Sequence, residues 1–178
     1  ANKKLAGEMN YSDMNVSFFK HFPSLTLTLN DFKLNGSAPF QKERLINAKE
    51  ASFGINLSSL IFGKSIKIDE IYLSNSTINI KVNKEGLANY NVYIAEKKVK
   101  KEDEESTGIK LDRIEIINSQ LVYDDKSTQV HFDAFGFNYL GKGDFSQDIF
   151  DLYSKAKIEK LNVLYENEHY LMKKKVDA

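Results

Sequence analysis

IKIDEIYLSNS, residues Ile66 to Ser76, and IKLDRIEIINS, residues Ile109 to Ser119, are one short sentence written twice, 43 residues apart. Six of the eleven positions are identical (Ile66/Ile109, Lys67/Lys110, Asp69/Asp112, Ile71/Ile114, Asn75/Asn118, Ser76/Ser119), and two more exchange Ile with Leu. Within each copy the apolar residues are spaced two, three and two apart. Side chains alternate faces along a strand, so the step of three, Ile68 to Ile71, either moves the second pair to the other face or is absorbed as a bulge or bend. The same spacing recurs at Leu27, Leu29, Phe32, Leu34 and at Ala156, Ile158, Leu161, Val163, so that successive starts are separated by 39, 43 and 47 residues. This is a degenerate repeat with variable loops. Units of this size stack on their neighbours to bury an apolar face, which predicts a long sheet in preference to a compact globule.

The flanking chain has the same two-residue period. Ser24 to Leu34 places Leu25, Leu27 and Leu29 between threonines, Thr77 to Asn83 repeats the device with Ile78, Ile80 and Val82, and Gln120 to Tyr123, Gln129 to Asp133 and Lys160 to Tyr165 are further strand candidates. With Asn, Asp, Gly and Ser between them, these segments predict a mostly β, elongated, curved antiparallel sheet of degenerate repeats. A few short helices are expected at Leu45 to Ala51, Ser58 to Phe62 and Asp148 to Lys155. The charged run EKKVKKEDEEST, Glu96 to Thr107, reads as a solvated loop joining two lobes of one elongated domain, about 1–95 and 108–178.

Composition narrows the function classes. Lys and Arg number 25 and Asp and Glu number 25, so the formal charge is zero and the broad positive field that attracts nucleic acid is missing. No nucleic-acid partner is expected. The 178 residues contain no cysteine, which removes disulfides, thiolate nucleophiles and zinc-finger spacings together. The longest apolar runs, such as Leu60 to Phe62, fall far short of the roughly 20 residues of a membrane helix. The opening Ala1-Asn2-Lys3-Lys4-Leu5 lacks an initiator Met, and a signal or anchor upstream is expected.

The constellations that carry chemistry are weak. Gly63-Lys64-Ser65 has the tail of a phosphate loop, but Ser58 stands where its first glycine belongs and strand alternation follows. Gly141-Lys142-Gly143-Asp144 has no third glycine opening a helix and reads as a turn. His21, His131 and His169 are far apart in sequence, and none forms a three- or four-residue pair suited to a metal. Asp69 and Asp112 are a conceivable acid/base pair, yet they hold equivalent repeat positions and read as structural. No catalytic activity, metal or cofactor is expected. What remains is an apolar sheet face with few helices to cover it. It either folds over on itself as an ordinary core or stays partly open as a trough for acyl chains.

Longer stretches resemble a known family. FFKHFPSLTLTLNDFKLNG (Phe18 to Gly36) and RLINAKEASFGINLSSLIFGKSIKIDEIYLSNSTINIKVNKEGLANYNV (Arg44 to Val92) resemble the amino-terminal region of AsmA family proteins. The features are the Phe-Pro-x-Leu opening, a Leu-x-x-Ala step, the Ser-Leu-Ile-x-Gly-Lys turn, the doubled Ile alternation and the Asn-x-x-Gly-x-x-Asn-Tyr ending. Leu121 to Asp125, Gly141 to Phe145 and Tyr165 with Tyr170-Leu171 resemble the next repeat in the Bacteroidetes-type form. The resemblance implies a periplasmic protein anchored to the inner membrane by an amino-terminal helix, with a curled β-sheet similar to lipid-carrying bridge proteins. It also implies a role in lipid transport between the membranes and in outer-membrane assembly. The partners implied are phospholipid or another acyl lipid, the inner membrane through that anchor, and downstream repeats of the same protein. Candidates to line a lipid groove are Ile66, Ile68, Ile78, Ile80 and Val82 in the first copy and Ile109, Leu111, Leu121 and Tyr123 in the second. Ile71, Leu73, Ile114 and Ile116 are the alternative set. The competing reading is a structural or protein-binding β-scaffold that uses its sheet edge.

Overall fold

The structure, a computed structural model, describes residues 6–21, 24–57, 61, 68–92, 112–143 and 152–178. Among the described residues, nine strands form one open curved sheet: β1 (Met9–Asn10), β2 (Asp13–His21), β3 (Ser24–Asn35), β4 (Arg44–Ile55), β5 (Ile68–Val82), β6 (Arg113–Asp125), β7 (Val130–Gly143), β8 (Leu152–Tyr165) and β9 (Glu168–Asp177). Their order is β1-β3-β4-β5-β6-β7-β8-β9, with β2 beside the other half of the β3 edge. Strands this long are encoded by runs of Ile, Leu, Val, Thr, Tyr and Phe, whose branched or planar side chains suit a pleated surface.

Among the described strands the mostly antiparallel sheet contains one parallel pair, and it is formed by the duplicated sentence. Glu70 pairs with Arg113, Ile71 with Ile114, Leu73 with Ile116 and Ile78 with Leu121. The pairing offset equals the sequence offset between the copies, so each residue of β5 lies beside its own echo in β6. Equal residues then bond directly. The Ser76 hydroxyl donates to the Ser119 hydroxyl at 2.7 Å and the Asn118 amide donates to the Asn75 side chain at 2.7 Å. A parallel pair needs a long return connection, and here it runs from Asn83 to Asp112. The charged segment 96–107 lies in it, outside the described residues.

The steps of three are resolved in two places. Gly54 pairs with Glu70 and Ile55 with Ile68, so Asp69 is the extra residue between Ile68 and Ile71 and both isoleucines keep one face. The corresponding place after Ile109 lies outside the described residues. A second crease crosses the sheet further along. Asp31, Asn75, Asn118, Gly136 and Lys173, on β3, β5, β6, β7 and β9, all have positive φ between 47° and 59°. Asp and Asn tolerate this left-handed conformation because their short polar side chains bond locally, and glycine has no Cβ to clash. Around the crease the apolar pattern skips three residues, Leu29 to Phe32, Ala51 to Ala48 and Leu73 to Ser76, without changing face. The structural equivalent of Leu27-Leu29-Phe32-Leu34 is therefore Ile71-Leu73-Ser76-Ile78. By spacing alone, that run matches Ile66-Ile68-Ile71-Leu73 instead.

Turns follow their chemistry. Glu166 and Asn167, both at positive φ, make the two-residue hairpin between β8 and β9. Asp125 closes the β6–β7 turn by accepting from the Ser127 hydroxyl (2.6 Å) and amide (2.8 Å) and from the Thr128 amide (3.1 Å). After β5, Asn83 accepts from the Glu85 and Leu87 amides, Gly86 adopts φ 78°, and Asn89 folds back on the strand. Fully buried, Asn89 donates to the Asn79 carbonyl at 2.7 Å and accepts from the Lys81 amide at 3.0 Å. The helix expected at Leu45 to Ala51 is instead part of β4, and residues 152–155 of the third expected helix are strand. Both segments are satisfied by ladder bonds to neighbouring strands, which outweighs a weak helical tendency. Leu57 and Ile61 are helical, and most of the second expected helix lies outside the described residues.

Candidate functional site: one apolar face

Paired residues of adjacent strands point to the same side, so the register defines two faces. One face consists of apolar rows that cross the crease. Leu27, Phe53, Ile71 and Ile114 form the first, and Leu29, Ala51, Leu73, Ile116 and Tyr139 the second. Beyond the crease come Leu34, Ile46, Ile78, Leu121, Ala134 and Leu161, followed by Ile80, Tyr123, Phe132, Val163 and Leu171. Tyr123 stacks on Phe132 with ring centres 5.2 Å apart, and Phe137 stacks on Tyr139 at 6.1 Å. The last row ends in Val82, Asp125, Val130 and Tyr165.

The sequence candidates Ile78, Ile80, Val82, Leu121 and Tyr123 all lie on this face, and Ile68 joins them beside Ile55 at the far end. So do Ile71, Leu73, Ile114 and Ile116, which the sequence left as an alternative set. The two creases make the sets one surface. Ile66, Ile109 and Leu111 lie outside the described residues. Phe132, Phe137, Tyr139, Leu161 and Val163 also line the face and were not among the candidates. Their signal was the alternation Val130-Phe132-Ala134, then Phe137-Tyr139, interrupted by a step of three.

Cover over the face is uneven. Across β3 to β5 it is a packed cluster of Leu29, Phe32, Leu34, Ala48, Ala51, Leu73 and Ile78, all buried. Met9 and Val92 lie against this cluster, and loops 36–43 and 83–92 bond to each other at its end through Ser37 and Asn89. Across β6 to β8 most of the face is half-buried, Ile116, Leu121, Tyr123, Phe132, Leu161 and Val163 among it. On β2 at the other margin, Met14 and Val16, beside Leu29 and Leu27, are 52% and 58% exposed. Among the described strands, substantial contacts run only between sheet neighbours, with no second layer of strands stacked on the face.

The opposite face is polar. Thr28 and Ser52 share a buried hydroxyl bond at 2.9 Å. Tyr72 donates to Glu70 at 2.8 Å, and burial together with that carboxylate pushes its phenol pKa up. Arg113 donates to Glu115 at 2.7 Å and lies 5.9 Å from the Tyr72 ring centre. A cleft of about 580 Å³ on this face is lined by Tyr11, Asp31, Lys33, Lys49 and Asn75 among others. Asp69 and Asp112 are joined through backbone, the Asp112 amide donating to the Asp69 carbonyl at 2.6 Å. The Asp69 carboxylate is occupied by the Asn56 amide at 2.9 Å. Among the described residues no group of three His, Cys, Asp or Glu is placed to hold a metal, and no helix is long and apolar enough to cross a membrane.

The sequence profile of the AsmA family matches residues 5–175. No curated protein and no solved structure matches the chain.

Proposed function

The chain belongs to the AsmA family, and from that premise we propose that it is a non-enzymatic envelope protein whose apolar sheet face receives the acyl chains of lipids. In this reading it stands in the periplasm, is held to the inner membrane by a segment outside the 178 residues, and serves lipid movement between the two membranes and outer-membrane assembly. The carrying observation is the apolar face, which among the described strands keeps one side across the creases and has no second strand layer over it. From β3 to β8 the face spans about 24 Å at the usual strand spacing. One leaflet of hydrocarbon is about 15 Å deep, so the face is long enough for a full acyl chain. Each methylene taken from water contributes about 0.8 kcal/mol, which allows a shallow trough to hold a chain without polar anchors.

A photo-reactive residue at position 80, in place of half-buried Ile80, tests this directly. The expected result is a lipid adduct in membranes and phospholipid in organic extracts of the purified protein. Lipid-free protein with no adduct, together with an apolar face closed against other protein, overturns it. A second reading rests on β9, which is exposed along nearly its whole length and, among the described strands, pairs only with β8. Such an edge can accept a further strand, making the sheet a scaffold for protein binding or for downstream repeats.

A further inference from the structure

The polar face changes character toward β9. Lys142 pairs across the strands with Tyr153, Lys155 with Leu140, Lys157 with Asn138 and Lys160 with Phe135. These rows alternate with Gly141–Ser154, Tyr139–Ala156 and Ala134–Leu161 of the apolar face, so all four lysines project from the opposite side. Lys175, between Lys174 and Val176, joins them by the same alternation. No ion pair engages any of the five among the described residues. Three apolar side chains stand bare between them: Tyr153 at 61%, Met172 at 59% and Phe135 at 39% exposed. Three carboxylates lie nearby, fewer than the five lysines: Asp177 pairs across the strands with Lys157, Asp133 accepts from Gln120, and Glu159 leans over Gly136.

We propose that this lysine-rich side of β7–β9 docks on an anionic bilayer surface. In a chain of zero net charge, Lys142, Lys155, Lys157, Lys160 and Lys175 place five exposed cations on one broad surface. Charge complementarity points to an anionic partner, and the bare Tyr, Met and Phe point to one that accepts apolar tips. The headgroup layer of a membrane offers both. Lysines reach phosphates as point charges, whereas arginine, the residue suited to bidentate carboxylate recognition on an acidic protein, is missing from the patch. This docking is independent of acyl binding on the other face.

The test is sedimentation of the chain with vesicles of phosphatidylglycerol and phosphatidylcholine, against vesicles of phosphatidylcholine alone. Binding to the first and not the second is expected, with loss in 1 M salt, where screening contracts to about 3 Å. Each lysine near an anionic surface contributes roughly five-fold, so K155E/K157E/K160E lowers the partition coefficient by about 100-fold or more. K42E/K84E, in loops away from the patch, leaves it within two-fold, about the effect of screened distant charges. Unchanged circular dichroism and urea midpoint in the triple variant confirm that its sheet is intact, and Y153S provides a milder variant if they change. Equal binding to both vesicle types, or undiminished binding by the triple variant or by Y153S, overturns the proposal. So does vesicle binding abolished by substitutions on the apolar face alone, which tests the acyl-chain reading separately.

Discussion

Asn118 sits mid-strand at φ 47°, and the residue placed there decides whether the crease is a designed feature of the sheet. Its side chain donates to Asn75 at 2.7 Å, and its amide donates to the Asn138 side chain at 3.0 Å. Replacement by alanine removes the first bond, worth about 0.5–1 kcal/mol at an exposed position, and adds about 1–2 kcal/mol for holding a Cβ in the left-handed region. Asn118→Ala should therefore cost about 2 kcal/mol. Glycine loses the same bond but escapes the Cβ clash, so that Asn118→Gly costs about 1 kcal/mol. Valine, stiff at Cβ, is the worst occupant and should cost more than 3 kcal/mol. Ordinary strand propensity predicts the reverse order, with valine best and glycine worst. The assay is urea unfolding. With a slope of about 2 kcal/mol/M, the alanine variant should unfold about 1 M earlier than the parent, with glycine between them. Alanine or valine matching or exceeding glycine would refute the crease as the device that keeps Ile116 and Leu121 on one face.

Further outcomes follow from the same geometry. Asn89→Ala leaves the Asn79 carbonyl and Lys81 amide without their partner in a fully buried place and should cost about 3 kcal/mol in the same assay; a loss below about 1 kcal/mol would mean that the turn is held by other contacts. Ser119→Ala strands the Ser76 hydroxyl and amide, both of which donate to the Ser119 hydroxyl, and a cost of about 2 kcal/mol is expected. The Ser76→Ala/Ser119→Ala double variant should cost less than the sum of the singles, and additivity would show the pair to be uncoupled. Asp125 is held well below the usual carboxylate range, chiefly by the Ser127 hydroxyl and with help from the Thr128 amide and the Tyr123 phenol. Its folded pKa lies below the unfolded value of about 3.9, so its contribution is complete above that pH and is lost as pH falls toward the folded value. Thermal melts from pH 6 to pH 2 should show a shallower acid slope for Asp125→Asn than for the parent, and parallel slopes would remove Asp125 from the acid response.

Much of the sheet was legible because its signal is local. Alternation at Leu25-Leu27-Leu29 or Ile78-Ile80-Val82 is a property of neighbours in the chain, and it gave strands and a face. What the sequence could not settle was which of two sets, Ile68/Ile78/Ile80 or Ile71/Leu73, shared that face. The answer depends on two residues with no apolar signature, Asp69 and Asn75, whose backbone absorbs the odd step. The identity of Asn75 with Asn118 was visible, but an asparagine between strands is ordinarily turn punctuation, and only the ladder shows it in mid-strand. In sequence Leu45 to Ala51 reads as a short turn of helix between strands. Ala48 and Ala51 are small because they sit in the packed centre of the apolar face, at 2% and 0% exposure, a reason that belongs to tertiary packing.

In-register parallel pairing also explains why the chain would keep two copies of one sentence. When a strand is laid beside its own repeat, each row receives the same kind of side chain twice: Ile71 beside Ile114, Leu73 beside Ile116, Ser76 beside Ser119. The cross-section of the apolar face is copied along with the crease that keeps it on one side. A surface built this way grows by adding units without redesigning its lining, because each copy needs only its neighbour to satisfy its polar groups and to cover one flank. Selection for a trough of constant cross-section would preserve the residues that set row and crease, Ile71/Ile114, Asn75/Asn118 and Ser76/Ser119. It would leave the polar face free to diverge, as it does at Glu70/Arg113, Tyr72/Glu115 and Ser74/Ile117.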